Sequence, residues 1–252
     1  MVAEETIPSL VWPAQGHNHL EWRKAVRKED ASGPAEPAVL RLFTYFRSSA
    51  SYRVRIALNL KGLEYEAVYR HLRYDEHLAP DYLSLNPEGL LPVLQHGEII
   101  LTQSLAIIEY LDELFPEPRL LPTQPAARAQ VRALALSIAC EIHGPTNLRV
   151  TRYLKSALGH DQEAISAWSR HWIQVGFKAL ESRAIAASSG RRYLLGDSVS
   201  IADLCLVPQM YNARRQQVDL SPFPTLVAIS HHLESLPPFA AAAPEAQPDC
   251  DL

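Results

Sequence analysis

The spacing of hydrophobic residues changes once along this chain, and that change constrains the fold more than any other feature. Between residues 40 and 121, short β-favouring runs alternate with helical spacing, whereas from residue 125 onward the spacing is helical throughout. The stretch 121–125 (LPTQP) separates the two patterns. We therefore predict an α/β domain at residues 38–121 and an all-helical domain at residues 125–252.

The α/β part opens with a strand, a helix and a second strand. Residues 42–45 (LFTY) favour a strand, residues 51–61 have helical spacing that closes at Gly62, and residues 65–69 favour another strand. A crossover of about 16 residues is long enough to make the two strands parallel. A right-handed βαβ unit is expected.

The rest of the α/β part predicts a hairpin and a helix. After an irregular stretch at residues 81–86, residues 92–94 and 99–101 are expected to pair antiparallel. Ser104 is a favoured N-cap for a helix over residues 105–115. The predicted order of elements is βαβαββα.

Composition excludes several classes of protein. The net charge of −4 argues against a nucleic acid partner, and no apolar run approaches the ~20 residues that cross a bilayer. Residues 1–37 lack the apolar segment of a secretory signal and are expected to be a poorly ordered extension. The three cysteines, Cys140, Cys205 and Cys250, are too few for a disulfide framework, so a cytoplasmic location is predicted.

The residues most suggestive of chemistry follow the first predicted strand. Ser48 and Ser49 lie where the strand leads into a helix, whose first N–H groups favour an anion. A hydroxyl donor there can lower the pKa of a thiol and so produce the nucleophilic thiolate. The alternative is that both serines only cap the helix.

Two further dipeptides are placed for ligand binding. Leu91-Pro92 precedes a short strand, and Gln103-Ser104 begins a helix whose dipole suits a carboxylate. The alternatives are an edge-strand proline and a helix cap. No metal site is predicted, because Cys140 and His143 lack a second pair of ligands, and Cys140 is expected in the core.

Several motifs in fixed register resemble one known family. FRSSASYRVRIAL at residues 46–58, QSLAIIEYL at 103–111, ADLCLVPQ at 202–209 and VDLSP at 218–222 resemble the zeta class of glutathione transferases. That class contains the maleylacetoacetate and maleylpyruvate isomerases, and the resemblance runs from about residue 40 to 249. It implies the cytosolic glutathione transferase fold, a thioredoxin-like N-terminal domain followed by an all-α C-terminal domain. It also implies glutathione as cofactor and a homodimer.

The resemblance assigns roles around the sulfur of glutathione. A serine of the first motif, Ser48 or Ser49 with Ser48 preferred, would hold the sulfur. Leu91, before a Pro92 whose peptide bond is cis in thioredoxin-like proteins, would pair its backbone with the cysteinyl residue.

The resemblance also assigns residues to other parts of glutathione. Gln103 and Ser104 would hold the γ-glutamyl end. Thr146 or Asn147 would replace an amide residue that helps to hold glutathione in the family.

Two arginines are candidates for the substrate. Arg215 matches a family arginine that reaches the active site, and Arg47 adjoins the serines. A guanidinium binds a carboxylate through two hydrogen bonds, and a maleyl oxo acid is a small dicarboxylic substrate. The chain departs from many relatives in having Ala50 for a cysteine and Tyr52 for a tryptophan, which leaves the identity of the oxo acid open.

The leading hypothesis is therefore a glutathione-dependent cis–trans isomerase acting on maleylacetoacetate or maleylpyruvate in aromatic catabolism. One alternative is a transferase that conjugates or dehalogenates small electrophiles such as α-halo acids. The other is a non-catalytic binding module with the same fold.

Overall fold

A computed structural model describes residues 39–187 and 192–251. Four strands form one sheet in the order β2-β1-β3-β4: β1 (Leu40–Thr44), β2 (Glu66–Tyr69), β3 (Val93–His96) and β4 (Ile99–Thr102). β1 pairs with β2 in parallel and with β3 antiparallel, and β3 pairs antiparallel with β4. This sheet confirms the predicted thioredoxin-like order. The prediction for residues 1–37 lies outside the described residues.

The helices of the α/β part are α1 (Ser49–Leu60), α2 (Pro80–Leu85) and α3 (Ser104–Leu114). Two local predictions are wrong. Residues 81–86 are mostly helical, because Pro80 at the first helical position has no N–H to satisfy. Ser104 is not the N-cap but the first helical residue, and Gln103 with φ 67° takes the cap position.

Both ends of α1 are fixed by local hydrogen bonds. The Ser48 side chain accepts a hydrogen bond from the Ser51 N–H at the start. At the other end Gly62 has φ 63°, which glycine adopts without strain, and the N–H of Leu63 donates to Leu58 O at 3.0 Å. The closure of the helix at Gly62 is confirmed.

The C-terminal part has helices joined by loops and no strand among the described residues. Its elements are α4 (Pro125–Leu136), a π-helical segment (Ser137–Ile142), α5 (His143–Thr146), α6 (Leu148–Ser156), α7 (Gln162–Ala187), α8 (Ile201–Arg215), α9 (Pro224–Glu234) and α10 (Pro237–Ala242). π-Helical turns occur often at functional sites. No helix in the described ranges has the length and apolar character needed to cross a membrane.

A capping box fixes the start of α8. The Asp203 carboxylate accepts hydrogen bonds from the N–H and hydroxyl of Ser200, each at 2.8 Å, and from the N–H of Leu194. The carboxylate therefore ties the preceding loop to the helix.

One apolar core runs through both parts of the fold. Leu42 of β1, Ile107 of α3, Leu134 of α4 and Leu206 of α8 all belong to the same buried cluster. The residues from 39 onward accordingly form one compact unit, and the division into two domains at residues 121–125 stays a prediction.

Candidate active site

Two adjoining cavities lie where the C-terminal ends of β1 and α2 face the helical part. The larger, the serine cavity, has a volume of about 720 Å³ and contains Ser48 and Ser49 in its wall. The smaller, the helix cavity, has a volume of about 510 Å³ and lies at the N-terminus of α3. They share part of their lining: Glu88, Leu90, Leu91, His143, Asn147 and Arg149. Both volumes are typical of ligand pockets.

The structure brings all the predicted site residues to these two cavities. The serine cavity is lined by Arg47, Ser48, Ser49, Leu91, Thr146, Asn147 and Arg215. The helix cavity is lined by Leu91, Pro92, Gln103, Ser104 and Asn147. Their functional roles remain predictions.

Ser48 and Ser49 occupy different positions at the start of α1. The Oγ of Ser48 accepts a hydrogen bond from the N–H of Ser51 at 3.2 Å. Ser48 therefore caps the helix, as the alternative interpretation predicts. Its oxygen only accepts in this hydrogen bond, so its hydroxyl proton is free to be donated to another group. Ser49 is the first helical residue, and its side chain makes no hydrogen bond with the described residues.

Arg55 and Asp249 hold the turn that leads into Ser48. The guanidinium of Arg55, buried under the turn, donates to the carbonyl oxygens of Tyr45 and Phe46 at 3.2 and 2.8 Å. Asp249 Oδ2 accepts from the N–H of Phe46 at 2.9 Å. Sequence reasoning missed both residues.

Arg47 and Arg215 reach the serine cavity without an ion pair in the described part of the chain. Arg47 lies over the Phe46 ring, with 5.8 Å from Cζ to the ring centroid, and Arg215 donates to Asn212 Oδ1 at 2.7 Å. Partial burial, and then the positive charge of Arg47, lower the pKa of Arg215.

α6 adds cations that sequence reasoning also missed. Arg149, Arg152 and Lys155 follow one another at helical spacing of three residues and all line the serine cavity. Arg152 is paired with Asp75 at 2.6 Å, whereas Arg149 bonds only to a backbone oxygen. Glu88 is the one acidic side chain among the described lining residues, so the cavity is strongly cationic. The three-residue spacing of these basic side chains is the sequence feature from which a cationic helix face could have been predicted.

The start of α3 is left open toward the helix cavity. The Gln103 side chain does not cap the helix and instead donates to Glu88 Oε2 at 2.9 Å. The first turn therefore keeps N–H groups without a side-chain acceptor. Ser104 Oγ accepts a hydrogen bond from Arg53 Nη1 at 3.3 Å.

Leu91 and Pro92 have the predicted backbone conformation. Their peptide bond is cis, and Leu91 is buried between the two cavities. No hydrogen bond within the described residues uses the backbone of Leu91. Its backbone N–H and C=O groups therefore have no hydrogen-bond partner among the described residues.

The side chains of Thr146 and Asn147 form hydrogen bonds within their own helices. Thr146 Oγ1 donates to Ile142 O at 2.8 Å, and Asn147 Oδ1 caps α6 by accepting from the Arg149 N–H at 3.1 Å. Asn147 Nδ2 lies 3.4 Å from His143 Nε2.

Burial, and then the nearby charge of Arg53, hold the pKa of His143 well below its usual range, so its ring is neutral at physiological pH.

The prediction for Cys140 is wrong. The residue is exposed and lines the helix cavity, because the π-helical segment packs Ile138 and Ile142 into the core instead. Among the described residues no group of three His, Cys, Asp or Glu side chains could hold a metal ion.

Comparison with known proteins agrees with this fold. The family model of the glutathione S-transferase N-terminal domain matches residues 38–113. A Vibrio cholerae serotype O1 protein named "Probable maleylacetoacetate isomerase" is 51% identical over 210 residues, which are 82% of this chain and 97% of that protein.

Solved structures similar to this chain include isomerases of the same two kinds. The holo structure of maleyl pyruvate isomerase, a bacterial glutathione S-transferase in zeta class, is 45% identical with a TM-score of 0.81, covering 83% of this chain and 99% of that one. Maleylacetoacetate isomerase of Methylobacterium extorquens AM1, solved with bound malonate and glutathione, is 38% identical with a TM-score of 0.79, covering 84% of this chain and 100% of that one.

The fold and the site define a glutathione transferase. More narrowly, the chain belongs to the zeta-class family of maleylacetoacetate and maleylpyruvate isomerases, as the sequence motifs predict.

Proposed function

We propose that this protein is a glutathione-dependent cis–trans isomerase of a maleyl oxo acid. The observation that carries the proposal is the serine cavity, where Ser48 and Ser49 lie beside Arg47 and Arg215, two cations without an ion pair in the described residues. The names of its relatives support the same activity.

The residues present fit glutathione. A tripeptide with two carboxylates, an extended backbone and a thiol would use the open N-terminus of α3, the free backbone of Leu91 and the free hydroxyl proton of Ser48. Asn147 lies in the wall of both cavities. The two cavities adjoin, so one extended ligand can reach from Ser104 to Ser48.

Glutathione, when bound, supplies a thiolate that adds to the cis double bond and leaves again after rotation, so it is regenerated. Ser48 would donate its hydroxyl proton in a hydrogen bond to the sulfur and so stabilise the anion. Arg215 and Arg47 would bind the carboxylates of the substrate and stabilise negative charge that develops on its oxo group.

Ala50 lines the helix cavity at the place where many relatives carry a cysteine, so the protein contributes no thiol of its own at the start of α1. The serine activation does not depend on that position.

We also propose an assembly state, a metabolic role and a cellular location for this protein. The family resemblance supports a homodimer and a place in aromatic catabolism. The free thiols of Cys140, Cys205 and Cys250 support a reducing, cytoplasmic location.

The test follows maleylpyruvate and maleylacetone by ultraviolet absorbance, with and without glutathione, while free thiol is titrated. We expect conversion to the fumaryl isomer that requires glutathione and does not consume it. S-methylglutathione is the control, because it can occupy the cavities but has no thiol, and it should support no conversion. Loss of thiol in step with product, or halide release from α-halo acids without isomerisation, would instead identify a conjugating or dehalogenating transferase.

A further inference from the structure

The three cations of α6 fall into two groups according to the cavity that they line. Arg149 lines both cavities, so it lies in the wall that glutathione would share between them. Arg152 and Lys155 line the serine cavity alone. They follow Arg149 in steps of three residues, and each step advances about 4.5 Å along a helix axis. We call Arg152 and Lys155 the α6 rim.

The positive charge of the α6 rim is only partly neutralised within the described part of the chain. Lys155 is exposed, and its side chain forms no ion pair or hydrogen bond there. Arg152 pairs with Asp75 at 2.6 Å, but the two side chains are 38% and 56% exposed, so water weakens that pair. Glu88, the one acidic side chain among the described residues of the cavity wall, already accepts from Gln103. An anion that enters along α6 therefore meets net positive charge.

The other unpaired cations of the serine cavity come from different elements. Arg47 precedes the serines at the start of α1, and Arg215 is the last residue of α8. In the proposed reaction these two arginines act beside the sulfur. A substrate with one carboxylate can use them and leave the α6 rim without a ligand. A substrate with a carboxylate at each end can use both groups of cations.

Exposed charges in the wall of a cavity act mainly on the entry of a charged ligand. A cleft lined by charge of one sign raises the local concentration of ions of the opposite sign and their rate of association. That effect falls as ionic strength rises, because salt screens charges that are farther apart than the Debye length. The α6 rim should therefore favour substrates by their charge, and most strongly at low salt.

We propose that the α6 rim selects substrates that carry a second carboxylate at the oxo end of the chain, by drawing that carboxylate into the serine cavity. Arg152 and Lys155 determine specificity in this proposal and take no part in the chemistry at the sulfur. The inference rests on the proposed isomerase function and deepens it, because it names a charge requirement of the substrate and the residues that impose it.

The test compares two substrates that differ in one group. Maleylpyruvate and maleylacetone share the cis double bond and the length of the chain, but maleylacetone has a methyl group in place of the carboxylate at the oxo end. The measured quantity is the ratio of their kcat/KM values, maleylpyruvate over maleylacetone. Arg152→Gln combined with Lys155→Gln should lower this ratio about fivefold at low ionic strength. In about 0.5 M salt the same double variant should change the ratio much less.

Two single variants and a binding measurement act as controls. Lys155→Glu reverses one charge of the rim, should also lower the ratio, and serves if the double variant does not fold. Lys178→Glu makes the same change of net charge at an exposed lysine of α7 that lines neither cavity, and it should keep the ratio of the unaltered protein. Calorimetry should give the same dissociation constant for glutathione in all of these variants.

The outcomes separate this inference from the proposed function. A ratio that does not respond to the double variant, or that falls equally in Lys155→Glu and Lys178→Glu, overturns the inference while the isomerase function stands. Weaker glutathione binding that accounts for the whole loss of kcat/KM overturns it too, because the rim would then belong to the site for glutathione. If the unaltered protein converts neither substrate, the proposed function fails and the inference fails with it.

Discussion

Ser48 serves the helix and the cavity with different parts of one hydroxyl group. Its oxygen accepts the cap hydrogen bond from the Ser51 N–H, and its proton is left for a ligand in the serine cavity. Ser49 has no bond of this kind within the described residues and lies one position further into α1. Both serines therefore keep a hydroxyl proton that no described residue accepts, and the choice of Ser48 as the residue that holds the sulfur stays a prediction.

Substitution at residue 48 can separate capping from activation. Glycine is an acceptable N-cap that costs a few tenths of a kcal/mol, whereas alanine costs about 1 kcal/mol. We expect Ser48→Gly and Ser48→Ala to lose kcat/KM alike, by about a hundredfold. In urea unfolding only Ser48→Ala should be clearly less stable.

Ser49→Ala is the matched control and should retain most of the activity. If instead Ser49→Ala is inactive and Ser48→Gly is not, the two serines have exchanged roles.

Among the elements, α8 links the stability of the fold to the site. It carries Asn212 and Arg215 to the serine cavity, and its start is fixed by the buried carboxylate of Asp203. Burial raises the pKa of Asp203 to about 6, although hydrogen bonds from Leu194 and Ser200 oppose that change. An unfolded aspartate titrates near 3.9.

The raised pKa predicts a pH dependence of stability. Between about pH 4 and pH 6 the folded protein holds a proton on Asp203 that the unfolded chain has released, so the contribution of Asp203 to the free energy of unfolding falls as pH rises. Above pH 6 the contribution is constant. Urea unfolding of the unaltered protein and Asp203→Asn should therefore give a stability difference that is larger at pH 4.5 than at pH 7.5. A difference that is flat or grows with pH would contradict the prediction.

At the scale of the whole molecule, residues 249–251 near the C-terminus hold the turn that precedes Ser48 and Ser49. Asp249 accepts a hydrogen bond from the N–H of Phe46, 203 positions earlier in the chain. Cys250 packs against the cluster of Phe46 and its neighbours. Asp251 Oδ2 lies 3.2 Å from His71 Nε2 and forms an ion pair with Arg73 at 3.1 Å. The position of Ser48 thus depends on residues at the far end of the sequence.

Removing the Asp249 carboxylate should disturb the site more than removing a surface charge. Asp249→Ala leaves the N–H of Phe46 without its acceptor, which costs about 1–3 kcal/mol of stability, and we expect kcat/KM to fall about tenfold. Asp249→Asn keeps an acceptor oxygen and should restore most of both quantities. Asp251→Asn, at a partly exposed ion pair, should change neither appreciably. Equal losses in the alanine and asparagine variants would show that charge, not the hydrogen bond, is what matters.

The sequence by itself determined what depends on neighbours along the chain. The order of strands and helices, the end of α1 at Gly62, the capping box at Ser200 and the motif around Ser48 follow from periodicity, caps and register. The placement of the second helix at residues 80–85 and the cap position of Gln103 were missed, because short helices and element ends carry little periodic signal.

Only the tertiary structure decided which charges are paired and which face a ligand. Arg53 and Arg55 are two residues apart and both are buried. Arg55 donates to four oxygen acceptors, whereas Arg53 donates to one among the described residues. Those acceptors come from several elements, up to 187 positions away in the sequence. The cations of α6 and the carboxylate of Asp249 reach the site in the same way. Local spacing cannot specify such partners, because the pairing of a buried group is set by which elements pack together.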